Sequence, residues 1–201
     1  MADANLTLYA YTFRSRAERV IWTLKELNMA FDLIRLDPFK GERDTPAFRK
    51  LNPAGKVPVL VHGDRVLTES LAIMQYLDAL SDQHPLTPSD PRDRYLFDRA
   101  LSYGQTELEA YLWLADQNTR LKGLYVWPDG VAAQAVARVS KAVGLVSQWL
   151  TEQDFIAGPR FSLADILYAQ LLSWAKAYDV PLPDPIPAYL AKVHGRPACP
   201  H

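Results

Sequence analysis

Four side chains with hydroxyl groups lie close together near the start of the sequence, where each could donate a hydrogen bond to an anion. Tyr9, Tyr11 and Thr12 lie in the stretch LYAYT, and Ser15 follows three residues later. Ser15 begins the segment SRAERVIWTLKELN, whose apolar residues recur at helical spacing and which Asn28 is expected to end. A hydroxyl at a helix start either caps the helix or meets an anion beside the positive end of the helix dipole.

A second group combines a proline in an apolar stretch with an acidic and a hydroxyl side chain. In KVPVLV, Pro58 has no N–H to contribute to a sheet, so the residues alone predict the start of an edge strand. Glu69 and Ser70 begin the predicted helix ESLAIMQYLDAL. The free N–H groups at a helix start suit a carboxylate, and the carboxylate of Glu69 suits an ammonium group. Thr68 or Ser70 could equally serve only as a helix cap.

The first half of the chain alternates between strand and helix patterns. Strands are predicted at 6–11, 31–36, 57–61 and 65–68. Helices are predicted at 15–28, 45–52 and 69–80. Thr45 and Pro46 suit the N-cap and the first position of the second helix. The turn His62-Gly63-Asp64 predicts an antiparallel hairpin, and the order is β-α-β-α-β-β-α.

The stretch SDQHPLTPSDP, residues 81–91, separates two halves of different character. It contains three prolines and no helical pattern, as expected of a linker. The residues after it predict helices at 92–117 and 131–150 and in the stretches FSLADILYAQLLSWAKAY and PAYLAKVHG. Ser162 and Asp165 form a capping-box pattern before an apolar run, which indicates a structural helix start. We therefore expect an α/β domain at 1–80 and an all-helical domain at 92–201.

The composition limits the classes of function. Of the 201 residues, 49% are hydrophobic and 22% are charged, and the net charge is −1. This balance is typical of a soluble globular protein and argues against nucleic acid as a partner, while the scattered Lys and Arg residues argue against a membrane-surface patch.

The four histidines lack the spacing of metal ligands, so no metal is expected. The single cysteine, Cys199, allows no intramolecular disulfide. With no signal-peptide pattern and no membrane-spanning apolar run, the expected location is the cytoplasm.

Four motifs resemble those of the glutathione S-transferase family. SRAERVIWTLKEL resembles the family's first helix, NPAGKVPVL its approach to the third strand, LTESLAIMQYL its glutamate-serine helix start, and GPRFSLADILYAQLL its C-terminal capping-box helix. Together they follow the family's order over nearly the whole chain. The resemblance implies a thioredoxin-like domain at 1–80, a linker at 81–91 and an all-helical domain at 92–201. It also implies glutathione as cosubstrate and usually a homodimer.

The resemblance assigns the parts of glutathione to particular residues. The family's proline at the position of Pro58 follows a cis peptide bond, which would turn the backbone of Val57 toward the cysteinyl unit. Glu69 would accept from the γ-glutamyl ammonium group, and Ser70 would bind the α-carboxylate at the helix start. For the glycine carboxylate, Lys56 is the nearest candidate. The looser alternatives are Arg14, Arg16 and Lys40.

The chemistry that the resemblance implies is stabilisation of the glutathione thiolate by a hydroxyl group. Ser15 precedes the pattern R-x-x-R-V-x-W, as in the family's serine-type branches, although many of these place the hydroxyl one position earlier, where Arg14 stands. Tyrosine-type branches place it on the strand end, where Ala10 falls in register between Tyr9 and Tyr11. The candidates in order are Ser15, Tyr11 and Thr12.

The second domain is expected to hold a small hydrophobic electrophile. The candidates for its pocket are Tyr103, Tyr111, Trp113 and Leu114, although an aromatic stripe on a helix is more often part of a core. Two other functions stay open: a non-catalytic relative that binds protein partners, and a glutathione-dependent thiol–disulfide reductase. The reductase type carries a cysteine at the start of the first helix, and this sequence has none there. A glutathione transferase is therefore the leading interpretation.

Overall fold

A computed structural model describes residues 5–12, 15–81 and 86–200 of the chain. The chain divides into two compact units. One consists of the described residues of Met1–Pro85 together with those of Pro197–His201, and the other is Leu86–Arg196. Residues 197–200 therefore belong with the first unit and not with the helices that precede them in sequence.

The first unit is built on a four-stranded mixed sheet in the order β2-β1-β3-β4. The strands are β1 Leu6–Tyr11, β2 Asp32–Leu36, β3 Val59–His62 and β4 Arg65–Thr68. β1 pairs in parallel with β2, and β3 pairs antiparallel with both β1 and β4. The predicted hairpin has Gly63 and Asp64 as its two turn residues, and Gly63 adopts a φ of 61°. Two-residue hairpin turns require such a positive φ, which glycine adopts readily.

Three α-helices lie in the described part of this unit, in the predicted order: α1 Ala17–Glu26, α2 Pro46–Leu51 and α3 Ser70–Ala79. Asn28 adopts a φ of 52° just after α1, a left-handed conformation that cannot continue the helix. The side chain of Thr45 accepts the N–H of Phe48 at 3.3 Å, so it caps α2 as predicted. α1 packs against α3. This mixed sheet with its helices is the thioredoxin-like arrangement that the family resemblance implies.

The strand connections bring several candidate residues to one edge of the sheet. Because β3 is antiparallel to β1, the end of β1 lies on the same side as the start of β3. β4 also ends there, since its last residue, Thr68, pairs with Val59, the first residue of β3. α1 follows β1 and α3 follows β4, so both helices begin on this side. We call the end of β1, the start of β3 and the end of β4 the site edge.

The second unit is helical. Its helices are α4 Pro91–Tyr103, α5 Ala110–Asn118, α6 Val131–Thr151, α7 Leu163–Lys176 and α8 Ile186–His194. The single helix predicted at 92–117 is interrupted by a π-helical segment, Gly104–Glu109. A Cβ atom at Gly104 would lie 3.1 Å from the side chains of Leu167 and Tyr168, so glycine permits the close approach of α7. Within the described ranges, no helix has both the length and the apolar character needed to cross a bilayer.

A buried carboxylate forms the centre of the capping box at the start of α7. Asp165 accepts the N–H groups of Ser162 at 2.8 Å and of Ile156 at 2.9 Å. It also accepts the hydroxyl of Tyr189 in α8 at 2.8 Å. Burial raises the pKa of Asp165 to about 6, although these hydrogen bonds act in the opposite direction. The cluster therefore joins α7, α8 and the turn before α7, which is a structural role.

Candidate functional site

Val57 and Pro58 lead into β3 beside the end of β4. Since Val59 pairs with the last residue of β4, Pro58 and Glu69 are the next residues outward on the two strands. The Val57–Pro58 peptide bond is cis, the geometry that the resemblance implies. The side chain of Val57 packs inward, in a cluster with Phe48 and Val59.

The backbone of Val57 is the feature of the site edge that points most directly to a ligand. Its N–H and its C=O take part in none of the hydrogen bonds between the residues that the structure describes. The residue is nevertheless only 9% exposed. Backbone polar groups of buried residues are nearly always paired in native proteins. An unpaired N–H and C=O on one residue at a strand end can accept an extended peptide.

Glu69 has a backbone conformation that residues other than glycine rarely adopt. Its φ is 68° and its ψ is 111°, which corresponds to strain of about 1–3 kcal/mol. Its side chain is exposed and makes no capping hydrogen bond to α3. The first N–H groups of α3, beginning at the buried Ser70, therefore lack a cap from this side chain and suit a ligand carboxylate.

Ser15 and Thr12 lie on the chain between β1 and α1. The Oγ of Ser15 accepts the N–H of Ala17 at 3.3 Å, and its C=O accepts the N–H of Glu18 at 3.1 Å. The hydroxyl therefore caps the first turn of α1, which is compatible with donation to an anion because a hydroxyl has both donor and acceptor sites. Thr12 is exposed and donates its N–H to the C=O of Leu36 at 3.0 Å.

Tyr11 is the last residue of β1 and lies beside Val57. Its side chain packs against the cluster that contains Val57 and Phe48. A hydrogen bond with the Tyr11 side chain raises the pKa of Arg43, so the guanidinium group meets the phenol oxygen. Sequence reasoning missed Arg43 because no periodicity connects it with Tyr11.

The loop that leads to Val57 is held by Asn52, which the sequence analysis did not single out. Asn52 is buried; its Nδ2 donates to the C=O of Lys56 at 2.8 Å and its Oδ1 accepts the N–H of Ala54 at 3.0 Å. The Asn-Pro pair in LNPAGK is a turn signal that could have indicated this role. The side chain of Lys56 is exposed.

The other candidate cations have different surroundings. Arg16 is the partly buried N-cap residue of α1. Lys40 is exposed, and its Nζ lies 3.8 Å from a carboxylate oxygen of Asp37. Arg14 lies outside the described residues. In the part of the chain that the structure describes, no three His, Cys, Asp or Glu side chains are grouped as metal ligands would be.

Two of the candidates for the electrophile pocket pack against α6 inside the second unit. The ring of Tyr103 meets Trp149 edge-on, with 5.1 Å between the ring centroids. Burial raises the pKa of Tyr103, and the charge of Glu107 acts in the same direction. The ring of Tyr111 lies 5.9 Å from the guanidinium carbon of Arg138. Both tyrosines therefore contribute to helix packing.

The other two candidates lie near the loop that follows α5. The ring of Trp113 meets Tyr125 edge-on, with 6.3 Å between centroids. Leu114, the next residue, is partly buried. The same loop carries the exposed apolar side chains of Leu124 and Val126. Trp113 and this loop are therefore a better source of accessible apolar surface than the two tyrosines.

Comparison with known proteins connects both units to one family. The model of the glutathione S-transferase N-terminal domain matches residues 4–79, and that of the C-terminal domain matches residues 122–192. Glutathione S-transferase GstA of Escherichia coli O157:H7 is 31% identical over 181 residues, which cover 87% of this chain and 86% of that protein. Glutathione S-transferase 1 of Dianthus caryophyllus is 46% identical over 91 residues, which cover 45% of this chain and 41% of that protein.

A solved structure agrees with these matches. The theta class glutathione S-transferase from the citrus canker pathogen Xanthomonas axonopodis pv. citri, with glutathione bound, has a TM-score of 0.78 and 26% identity. The similarity covers 97% of this chain and 95% of that one. The chain belongs to the glutathione S-transferase family, with the thioredoxin-like and helical domains of that family.

Proposed function

We propose that this protein is a glutathione transferase that binds glutathione at the site edge and holds its thiol as thiolate for attack on a hydrophobic electrophile. The observation that carries the proposal is the backbone of the nearly buried Val57, which pairs with no other described residue and lies next to the cis bond of Pro58. The cysteinyl unit of glutathione has one N–H and one C=O to pair with it. The relatives named above are glutathione S-transferases, which supports the same activity.

The two ends of glutathione have complementary groups on this chain. Glu69 would accept from the γ-glutamyl ammonium group, and the start of α3 at Ser70 would bind the adjacent carboxylate. Lys56 remains the proposed partner of the glycine carboxylate. Asn52 would hold Lys56 and Val57 in place through its bond to the Lys56 C=O.

Thiol activation requires an energy that one hydroxyl and one helix start can supply. An ordinary thiol has a pKa of about 8.5, and lowering it by about 2 units requires roughly 2.7 kcal/mol of preference for the thiolate. A hydrogen bond to a charged acceptor contributes about 1.5–3 kcal/mol, and a helix N-terminus about 0.3–1 kcal/mol. Ser15 is the first candidate because it lies at the start of α1, followed by Tyr11 and then Thr12.

For the electrophile we propose the apolar side chains near the loop after α5. Trp113 and Leu114 are favoured over Tyr103 and Tyr111, whose rings pack against α6. The aromatic ring of Trp113 would favour flat, apolar substrates through ring contacts.

Titration calorimetry with glutathione, together with the ultraviolet absorbance of the bound thiolate, tests the proposal. A ligand at 100 times its Kd adds about 2.7 kcal/mol to the stability of the native state, so glutathione should raise the Tm by about 5–10 °C. S-methylglutathione is the matched control: it should bind but show no thiolate absorbance. The absence of both a heat of binding and a Tm shift would contradict the site and favour a non-catalytic relative.

We also propose that the protein is a cytoplasmic homodimer, as is usual in the family. A two-fold dimer is the commonest closed assembly of identical chains. Light scattering at micromolar concentration should give twice the chain mass of 22.7 kDa. A mass of one chain would contradict the dimer without affecting the proposed chemistry.

A further inference from the structure

A cation in β2 connects the two parts of the chain that carry the candidate hydroxyl groups. The Nη1 of Arg35 donates to the backbone C=O of Tyr11 at 2.7 Å and to the Oε1 of Glu18 at 3.1 Å. Tyr11 ends β1, and Glu18 lies in the first turn of α1. One guanidinium nitrogen therefore connects the end of the strand to the start of the helix.

These contacts involve Tyr11 directly and Ser15 through Glu18, and Thr12 is bound to the same strand, β2. Tyr11 is held through its own C=O. Ser15 is held through its C=O, which accepts the N–H of Glu18 at 3.1 Å. Thr12 donates its N–H to Leu36, the residue that follows Arg35. Arg35 therefore holds the backbone segments that carry Tyr11 and Ser15, whereas Thr12 is tied to β2 by its own backbone bond.

The exposure of this ion pair argues against a role in stability alone. The side chain of Arg35 is 38% exposed and that of Glu18 is 18% exposed, and ion pairs near the surface contribute little to the free energy of unfolding. A hydrogen bond to a thiolate, in contrast, weakens steeply as its distance and angle depart from the best values. Small displacements of the strand–helix connection would therefore affect thiol activation more than stability.

We infer that Arg35 and Glu18 are positioning residues for thiol activation, an inference that rests on the proposed function. The guanidinium group keeps the end of β1 and the start of α1 at a set separation, so that the activating hydroxyl is held at hydrogen-bond distance from the bound sulfur. Neither side chain is required to touch glutathione.

The sign of the pKa change separates positioning from a simple effect of charge. Removing the negative charge of Glu18 would, through its field alone, favour the thiolate and lower the pKa of the bound thiol. Loss of the connection to Arg35 would weaken the hydrogen bond to the thiolate and raise that pKa. Glu18→Ala therefore gives opposite results for the two explanations.

The experiment is an ultraviolet pH titration of bound glutathione in the full chain, with calorimetry and thermal unfolding of the same variants. We expect Arg35→Met and Glu18→Ala each to raise the pKa of the bound thiol by about 0.5–1 unit, with Kd for glutathione changed by less than about threefold. Arg35→Lys keeps the charge but lacks the planar fork of the guanidinium group. It should raise the thiol pKa by less than Arg35→Met does, but still above the wild-type value. The Tm should change by less than about 4 °C.

Asp98→Ala is the matched control, because it removes another exposed ion pair, formed with Arg94 at 2.9 Å within α4. It should leave the thiol pKa unchanged. An unchanged or lowered thiol pKa in Glu18→Ala would overturn the inference. A wild-type thiol pKa in Arg35→Lys would also overturn it. If the wild-type protein itself shows no thiolate below the pKa of free glutathione, the proposed function fails and the inference fails with it.

Discussion

The backbone conformation of Glu69 leads to a prediction that separates stability from binding. Glu69→Ala removes the carboxylate but keeps the Cβ atom, whereas Glu69→Gly removes both. At a φ of 68° and a ψ of 111°, the Cβ atom is the source of the steric strain. The Glu69 side chain makes no capping hydrogen bond to α3, so neither substitution removes a cap.

The magnitude follows from two opposing terms. Relief of the strain favours the Gly variant by about 1–3 kcal/mol. The greater freedom of glycine in the unfolded chain disfavours it by about 0.4–1 kcal/mol relative to alanine. We therefore expect Glu69→Gly to be more stable than Glu69→Ala by about 1 kcal/mol, with a Tm higher by about 2–4 °C. The Ala variant should unfold close to the wild-type temperature.

Binding of glutathione should respond differently, because both variants lose the carboxylate. Loss of a charge-assisted hydrogen bond worth about 1.5–3 kcal/mol should weaken binding by about 10- to 150-fold in both. Thermal unfolding without ligand and calorimetric titration with glutathione measure the two effects. Asp64→Ala, at an exposed acid in the neighbouring hairpin turn, is the matched control and should bind as the wild type does.

The effect on stability and the effect on binding can each be refuted independently. Equal Tm values for the Gly and Ala variants would show that the conformation of Glu69 stores no strain. Wild-type affinity in both variants would show that the carboxylate does not meet the ammonium group of glutathione. Loss of folded protein in the Ala variant would assign Glu69 a structural role instead.

Three further predictions concern the sulfur, a buried acid and the loop before β3. Ser15→Ala should raise the pKa of the bound thiol by about 1–2 units with little change in Kd, as followed by thiolate absorbance; if only Tyr11→Phe raises it, the tyrosine is the donor. Burial raises the pKa of Asp165 to about 6, above its ordinary 3.8, so the folded protein keeps a proton that the unfolded chain releases. Asp165 should therefore lower the free energy of unfolding by up to about 3 kcal/mol as pH rises through that range, a dependence that urea titrations should find absent in Asp165→Asn. Asn52→Ala removes hydrogen bonds of 2.8 and 3.0 Å, so the free energy of unfolding in urea should fall by about 1–3 kcal/mol. The substitution should also weaken glutathione binding, and wild-type affinity would exclude a positioning role.

Local patterns in the sequence were sufficient for most of the element order and for several of its boundaries. Thr45 and Pro46 start α2 where the capping rules place them, and Asn28 ends α1 through its left-handed backbone. The hairpin of β3 and β4 turns at Gly63 and Asp64. Each of these features depends on a residue's own conformational preference or on a partner within four positions, so it can be read without the fold. The resemblance supplied the family, which the comparisons confirm.

The tertiary structure decided which of the candidate groups lie together and what holds them. Three features leave no periodic signal in the sequence: the bond from Arg35 to the C=O of Tyr11, the contact of Arg43 with the Tyr11 hydroxyl, and the Val57 backbone without a partner among the described residues. The π-helical segment at Gly104 likewise interrupts an otherwise continuous helical pattern. The pairing of strands distant in sequence sets these contacts, because the register of β1 with β2 and β3 determines which residues share an edge. Sequence by itself therefore specified the elements and the candidate residues. The sheet brought strand ends and helix starts together, because only folding places residues far apart in the chain within hydrogen-bond distance.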